Sequence, residues 1–410
     1  MFRISQYMRE LAHAERTGDY PEVRSRRPAG PVVIWNLIRR CNLTCKHCYA
    51  LSADRDYAGE LSRDEVFAVM DELHAFGVPS LILSGGEPLM RPDLFDIAAR
   101  ARALGFHVGL STNGTLIDAA MAARIADAGF DYVGISLDGL RETHDRFRRL
   151  DGAFELSLSA LRLLHAHGVK VGLRYTMTAL NQDDLVPLLD LMRAEGVDKF
   201  YFSHLNYAGR GNVHRGSDAR FAATRTALDL LFERAWQAAR EGWPEEYVTG
   251  NNDADGAYLL RWAQTCMPHC ADRLRARLVQ WGGNSSGVNV ANIDNLGQVH
   301  PDTMWWHHSL GSVRERPFGA IWSDLSDPLM AGLKAQPRPV GGRCADCRHF
   351  DLCGGNTRVR AQQLTGDVWA EDPGCYLSDD EIGAVAGTDR HRVPLRPFVA
   401  KEERKRGAHA

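Results

Sequence analysis

No stretch of this 410-residue chain comes near the roughly 18–20 continuous apolar residues that cross a bilayer. The first residues, MFRISQYMRELAHAER, lack the apolar core of a secretory leader. A charge excess of either sign is missing as well. Lys and Arg number 49 against 52 Asp and Glu, so no global field favours nucleic acid. Basic residues gather only near the ends, at Arg24, Arg26 and Arg27 and at Lys401, Arg404, Lys405 and Arg406, where they read as solvated terminal segments. No internal repeat is visible beyond a strand–helix alternation. A cytoplasmic protein with neither a membrane nor a nucleic-acid partner is the expectation.

Cysteine is plentiful for such a chain, at nine residues. Disulfides do not persist among cytosolic reductants, so the nine need another reason. Seven fall in two tight groups, Cys41, Cys45 and Cys48, then Cys344, Cys347, Cys353 and Cys375, at spacings typical of metal sites. Cys266 and Cys270 stand apart, and two thiols four residues apart are more often a buried or incidental pair than a third site.

From Val32 to about Trp243, short apolar or β-branched runs alternate with amphipathic stretches. The runs cover 32–37, 80–84, 107–111, 132–136, 170–177 and 199–205. The helical stretches cover 63–76, 93–104, 118–128, 154–167, 183–195 and 222–241. Six βα units in a row predict a parallel sheet with right-handed crossovers, and six rather than eight predict an open barrel. The expected fold class is α/β: a partial (β/α)6 TIM-like barrel over 31–245, with a smaller C-terminal iron–sulfur domain over 246–385. An N-terminal extension, 1–30, carries an amphipathic helix, and a tail spans 386–410. Segment 282–302 reads as a hairpin around Asn295-Leu296-Gly297. Segment 341–375 is loop-rich and reads as held by metal rather than by a core.

Cys41-Asn-Leu-Thr-Cys45-Lys-His-Cys48 follows the first strand. Three thiolates ligate three irons of a [4Fe–4S] cube and leave the fourth iron open, which suits chemistry rather than electron storage. Zinc would want a fourth ligand, and His47, between two of the cysteines, could hardly reach round. Ser84-Gly85-Gly86-Glu87-Pro88, Ser111-Thr112-Asn113-Gly114 and Ser136-Leu137-Asp138-Gly139 then end the next three strands in turn. This ordered set resembles the radical S-adenosylmethionine (SAM) superfamily over roughly residues 31–245. The resemblance implies that SAM chelates the open iron of a cluster on Cys41, Cys45 and Cys48. One electron then splits its sulfonium bond into a 5′-deoxyadenosyl radical. It also implies SAM contacts at Gly85, Gly86, Glu87 and Pro88, and ribose contacts at Ser136 and Asp138. Ser111 and Asn113 are further strand-end polar candidates. Asn113 and Asp138 also have a plain reading as turn formers close to a glycine. Arg174 is a candidate for the SAM carboxylate, or an ordinary strand ion pair. Leu205, with Asn206, is placed to flank adenine.

Cys344, Cys347, Cys353 and Cys375 are a closed set, sufficient for a complete [4Fe–4S] cluster, with a four-cysteine zinc site as the alternative. A barrel with such an extension resembles the SPASM/Twitch group, which implies two [4Fe–4S] clusters in all. Asp302 ends Gly297-Gln-Val-His-Pro301-Asp302, where the fuller SPASM pattern has a cysteine, so one auxiliary cluster is implied. Segments such as FYFSHLNYAGRGN, GGNSSGVNVANIDNLG and DPGCYL extend the likeness, over 31–380, to the branch that works in haem d1 biosynthesis. That likeness implies an iron tetrapyrrole substrate, 12,18-didecarboxysiroheme, which loses two propionates on the way to ring oxo groups. It implies an electron donor such as ferredoxin or flavodoxin. His204, Arg210, His300 and Trp305 are candidates to grip a flat, carboxylate-ringed substrate, although Trp and His in loops often pack a small domain. A haem-forming propionate decarboxylase of the same family and a peptide-modifying SPASM maturase are alternatives. The maturase would usually bring a recognition domain of roughly 80 residues. A simple electron carrier would have no use for the SAM motifs.

Overall fold

In the computed structural model, residues 1–22 and 30–383 are described. Arg24, Arg26, Arg27 and the expected tail 386–410 with its basic residues lie outside them. Each expected run forms a strand: β1 (Val32–Asn36), β2 (Ser80–Ser84), β3 (His107–Thr112), β4 (Tyr132–Ser136), β5 (Val171–Met177) and β6 (Lys199–His204). Helix α1 (Ile4–Thr17) precedes them, and α2 (Arg63–Phe76), α3 (Leu94–Ala103), α4 (Ala119–Ala128), α5 (Arg141–Arg148), α6 (Ala153–Ala166), α7 (Leu185–Ala194), α8 (Gly209–Val213) and α9 (Ala222–Glu241) connect or follow them. Local chemistry sets the boundaries. Ser62 accepts the Glu65 N–H and Glu65 accepts the Ser62 N–H, a capping box that starts α2, and Gly77 in the left-handed region ends it.

The strand count exceeds the sequence expectation. β7 (Glu246–Gly250) adds in parallel to β6, and β8 (Val290–Ile293) adds in parallel to β1. The expected hairpin is present, with β8 pairing antiparallel to β9 (Gln298–His300) across a turn at 294–297; β10 (Gly311–Ser312) pairs β9 in turn. The order is β10-β9-β8-β1-β2-β3-β4-β5-β6-β7, so eight parallel strands form the barrel wall. β7 and β8 do not pair, so the barrel stays open. The chain from 246 onward thus shares the barrel's own sheet. Between β7 and β8 run α10 (Ala254–Cys266) and α11 (Ala271–Trp281).

The N-terminal segment guards the β7 edge. Phe2 and Thr249 exchange backbone hydrogen bonds at 2.7 and 2.8 Å, and the Phe2 ring packs 4.9 Å from Trp281 at the end of α11. An exposed strand edge would otherwise offer free N–H and C=O groups to another chain.

Strand alternation separates two faces. Trp35, Leu83, Leu110, Ile135, Leu173 and Phe202 are fully buried against the helices. The opposite, concave face carries Ser111, Ser136, Arg174, Tyr132 and Tyr201, with glycines between them. Tyr132 and Tyr201 fit because Gly172 and Gly250 stand beside them. A Cβ there would lie 2.3 Å from the Tyr132 hydroxyl and 2.2 Å from the Tyr201 hydroxyl. The barrel therefore presents a polar interior to whatever enters its mouth.

Candidate active site

The loop after β1 carries the first three cysteines, and the end of β2 holds it in place. Leu37 N–H donates to the Ser84 carbonyl at 2.9 Å, Gly86 N–H to Ile38 at 2.6 Å, and Glu87 N–H to Arg40 at 2.9 Å. A Cβ on Gly85 would lie 2.5 Å from the Ile38 oxygen, and one on Gly86 2.2 Å from the Arg40 oxygen. Both glycines are thus required by close passage of the cysteine loop itself. Cys41 and Cys45 are buried and pack with Leu43, Cys48 and Leu150. The Cys41 sulfur accepts the Leu43 N–H at 3.4 Å and the Asn113 side-chain N–H at 3.9 Å. The Cys45 sulfur accepts from Arg148 at 3.6 Å. Burial pushes the Cys41 and Cys45 thiols up, so a cationic iron centre is the natural partner to hold them as thiolates. Three gathered, sulfur-only donors, two of which receive N–H bonds, fit an iron–sulfur cluster.

The strand-end residues divide into two sets. Ser111, Ser136 and Arg174 converge on the concave face. Ser136 registers beside Arg174, whose Nη1 donates to the Ser111 hydroxyl at 3.0 Å and whose guanidinium lies 5.0 Å from the Tyr201 ring centre. The other set is engaged by the protein's own groups. Glu87 is fully buried. Its carboxylate accepts from Thr112 Oγ1 at 2.7 Å, Asn113 N at 2.8 Å and Leu89 N at 3.1 Å, which ties β2 to β3. Burial pushes the Glu87 carboxyl up to about 7, against these donors. Pro88 is buried in the turn that follows. Asn113 uses its amide on Asn42, at 3.0 Å, and on Cys41, and its oxygen on Thr115. Asp138 is closed in by Arg148 and by the Thr176 N–H at 2.7 Å; burial opposes its charge, but Arg148 holds the carboxyl below its usual value. Leu205 packs in a small apolar cluster with Tyr207 and Leu364.

The four later cysteines line one cavity, with Ala254 and Ala257 of α10 on its wall. The Cys347 sulfur accepts the His349 N–H at 3.4 Å, and Cys353 and Cys375 accept backbone N–H bonds from Gly355 and Leu377. Each is two residues on, the arrangement seen at Cys41 and Leu43. Among the described residues no three His, Cys, Asp or Glu are grouped as for a single metal ion; the thiols stand around a shared space instead. The cavity is anchored to the ends of β7 and α11. Asp253 N donates to Asn356 Oδ1 at 2.7 Å, Asn252 to the Gly374 carbonyl at 3.0 Å, and Asn284 N to the Cys353 carbonyl at 3.1 Å. Cys270 is buried in the core and Cys266 is exposed. Asp302 accepts the Met304 N–H at 2.7 Å as a turn former.

The four substrate candidates each have partners within the fold. His204 turns to the helix side of β6, where its Nε2 lies 3.0 Å from Asp255 and its ring stacks with Tyr376. The cause is strand parity, which turns Ser203 inward and its neighbour outward. Arg210 donates to the carbonyls of Cys45 and Ser52 at 2.7 and 2.9 Å, bracing the cysteine loop. Trp305 is buried with Leu329, Leu333 and Val359. His300 is buried too, with Nδ1 2.8 Å from the His308 carbonyl oxygen and its ring stacked with Trp306.

A family model described as the radical SAM superfamily matches residues 35–192. Over 97% of this chain and 97% of the relative, the sequence is 53% identical to a pre-heme d1 synthase of Dinoroseobacter shibae. The chain belongs to the radical SAM superfamily. An Fe-coproporphyrin III synthase of Methanosarcina barkeri is 46% identical over 86% of this chain and 89% of its own. Among solved structures, SuiB of Streptococcus suis bound to S-adenosylmethionine matches with a TM-score of 0.67 at 15% identity. The match covers 91% of this chain and 81% of that one, a likeness of fold.

A radical SAM enzyme works with SAM and a [4Fe–4S] cluster, and this one places several unforeseen residues around the site. Arg91 is buried and donates to the carbonyls of Leu37 and Leu61 at 2.6 and 2.9 Å, stapling both ends of the cysteine loop. Asn36, Tyr49 and Asn292 form a ladder beside Cys48: Asn36 donates to the Tyr49 hydroxyl at 2.9 Å, and Asn292 donates to Asn36 at 2.7 Å. No spacing rule points to Arg91. Asn36, the polar end of an apolar strand directly ahead of the motif, was a visible signal. No helix among the described residues is long and apolar enough to cross a membrane.

Proposed function

We propose that this radical SAM enzyme acts on an iron tetrapyrrole in haem d1 biosynthesis, removing two propionate side chains of 12,18-didecarboxysiroheme on the way to ring oxo groups. The observation that carries the reading is the 53% identity, end to end, to a pre-heme d1 synthase. The polar concave face supports it, because a carboxylate-rimmed macrocycle needs hydrogen-bond donors at the barrel mouth.

Cys41, Cys45 and Cys48 would hold the catalytic [4Fe–4S] cluster, and Cys344, Cys347, Cys353 and Cys375 an auxiliary one. When bound, the catalytic cluster and SAM supply a carbon radical that abstracts hydrogen. The protein's own residues then do the positioning. The Gly85–Glu87 backbone fixes the cysteine loop and offers carbonyls to the SAM amino group. Arg174, held by Ser111 and the Tyr201 ring, is set to receive a carboxylate, and Ser136 beside it a hydroxyl. Low-potential electrons would come from a ferredoxin or flavodoxin.

The test is mass spectrometry of 12,18-didecarboxysiroheme after anaerobic incubation with the reconstituted enzyme, SAM and a reductant. Loss of two propionates is expected, and an unchanged tetrapyrrole would overturn the substrate assignment. A second reading follows from the 46% identity to an Fe-coproporphyrin III synthase; appearance of Fe-coproporphyrin III in the same assay would favour it.

A further inference from the structure

Arg148, the last residue of α5, joins two groups that the sequence places in separate motifs. Its Nη1 donates to the Cys45 sulfur at 3.6 Å, and its Nη2 pairs with the Asp138 carboxylate. Both charged side chains are almost wholly buried, at 8% and 1% exposed. Asp138 is fixed by other partners as well. Its Oδ1 accepts the Thr176 N–H at 2.7 Å, its own N–H donates to His144 Nδ1 at 2.9 Å, and His47 Nε2 lies 3.8 Å from its Oδ2. The guanidinium touches the Cys45 sulfur directly, and the carboxylate is held by its other nitrogen. The pair thus turns its positive end toward a sulfur that would ligate the cluster.

Hydrogen bonds to ligand sulfurs and the charge around a cluster set its reduction potential, and a positive neighbour favours the reduced, electron-rich form. We propose that the Arg148–Asp138 pair sets the potential of the cluster at Cys41, Cys45 and Cys48. Arg148 raises that potential and Asp138 limits the rise. The pair is a positioning and tuning element, and it takes Asp138 out of the set of ribose partners. The inference rests on the assignment of the cluster to those three cysteines.

The experiment is an EPR-monitored redox titration of the anaerobically reconstituted full chain, following the signal that changes on addition of SAM. Arg148→Met should move the midpoint down, since a donor is lost and a carboxylate stays uncompensated. Asp138→Asn should move it up. The double variant buries no lone charge, so it should keep its cluster even where Arg148→Met folds poorly, and its midpoint should lie between those of the single variants. Arg148→Lys should return part of the loss. SAM binding by Asp138→Asn should match that of the unaltered enzyme. Midpoints that do not move, or that move the same way in both single variants, would overturn the proposal. So would a loss of SAM binding in Asp138→Asn. A wild-type chain that assembles no SAM-responsive cluster would instead overturn the cysteine assignment.

Discussion

One methyl group at Gly86 would sit 2.2 Å from the Arg40 carbonyl oxygen, which is backbone and has nowhere to go. Gly86→Ala should therefore displace the Cys41 loop. Iron bound at the first site should fall sharply, while far-ultraviolet circular dichroism of the barrel stays close to wild type. Glu87 gives a second residue-scale expectation. Its two oxygens accept three bonds, and an amide cannot accept on both sides. Glu87→Gln should cost about 1–3 kcal/mol, the usual penalty for an unsatisfied buried group, read from a urea melt. The motif around these residues was legible because glycine pairs and strand-end polar groups leave a mark in a single sequence. Their division of labour was not legible. Glu87, Asn113 and Asp138 have the chemistry to bind a ligand, yet each is also engaged by a neighbour in the fold, and no local pattern says which neighbour.

Elements extend the same logic. The bridge between Phe2 and β7 makes the first residues part of the wall. Phe2, 1% exposed, should cost about 3–5 kcal/mol on change to Ala, and the variant should aggregate more readily on warming. At the other end, the short helix Asp379–Ile382 is moored by Glu381, which meets Arg225 of α9 and Arg261 of α10. Burial works against the Glu381 charge, yet the two arginines and the Ser378 backbone hold its carboxyl down at about 2, against 4.5. A folded value below the unfolded one means that the stabilisation is complete above about pH 4.5 and is lost as the pH falls toward 2. Hydrogen exchange in 376–383 should accelerate between pH 5 and 3 relative to a Glu381→Gln variant at the same pH. Six strands and five of the helices between them were readable, since each shows apolar residues with a clear period; α5, RETHDRFR, is almost wholly polar and was missed. β7 and β8 escaped. EYVTG is short and mixed in polarity, VANI is only four residues, and β8 finds its partner, β1, across most of the chain. Pairing so distant leaves no local trace.

Across the whole molecule, the loops that carry Cys353 and Cys375 hang from the end of β7 through Asn252 and Asp253 and from the end of α11 through Asn284. The cysteine-rich part is thus fastened to the barrel mouth. The reconstituted protein should bind about eight irons, and Cys353→Ala about four, with SAM cleavage by the first site retained and turnover of the tetrapyrrole lost. Iron and sulfide analysis beside a 5′-deoxyadenosine assay reads both. Zinc in place of half the iron would contradict the auxiliary assignment. Substrate-gripping residues were the least legible feature: His204, Arg210, His300 and Trp305 carry suitable groups, yet each has partners within the fold, and His204 lies on the helix side of its strand. Parity and loop geometry decide direction, and composition does not. The tyrosines inside the barrel point to history as well as to space. Tyr132 occupies the place that a side chain at Gly172 would need, and Tyr201 the place next to Gly250. Among homologues, then, residue size at 132 and 172 should trade off, as should size at 201 and 250, so that each pair drifts as one unit with a fixed combined volume.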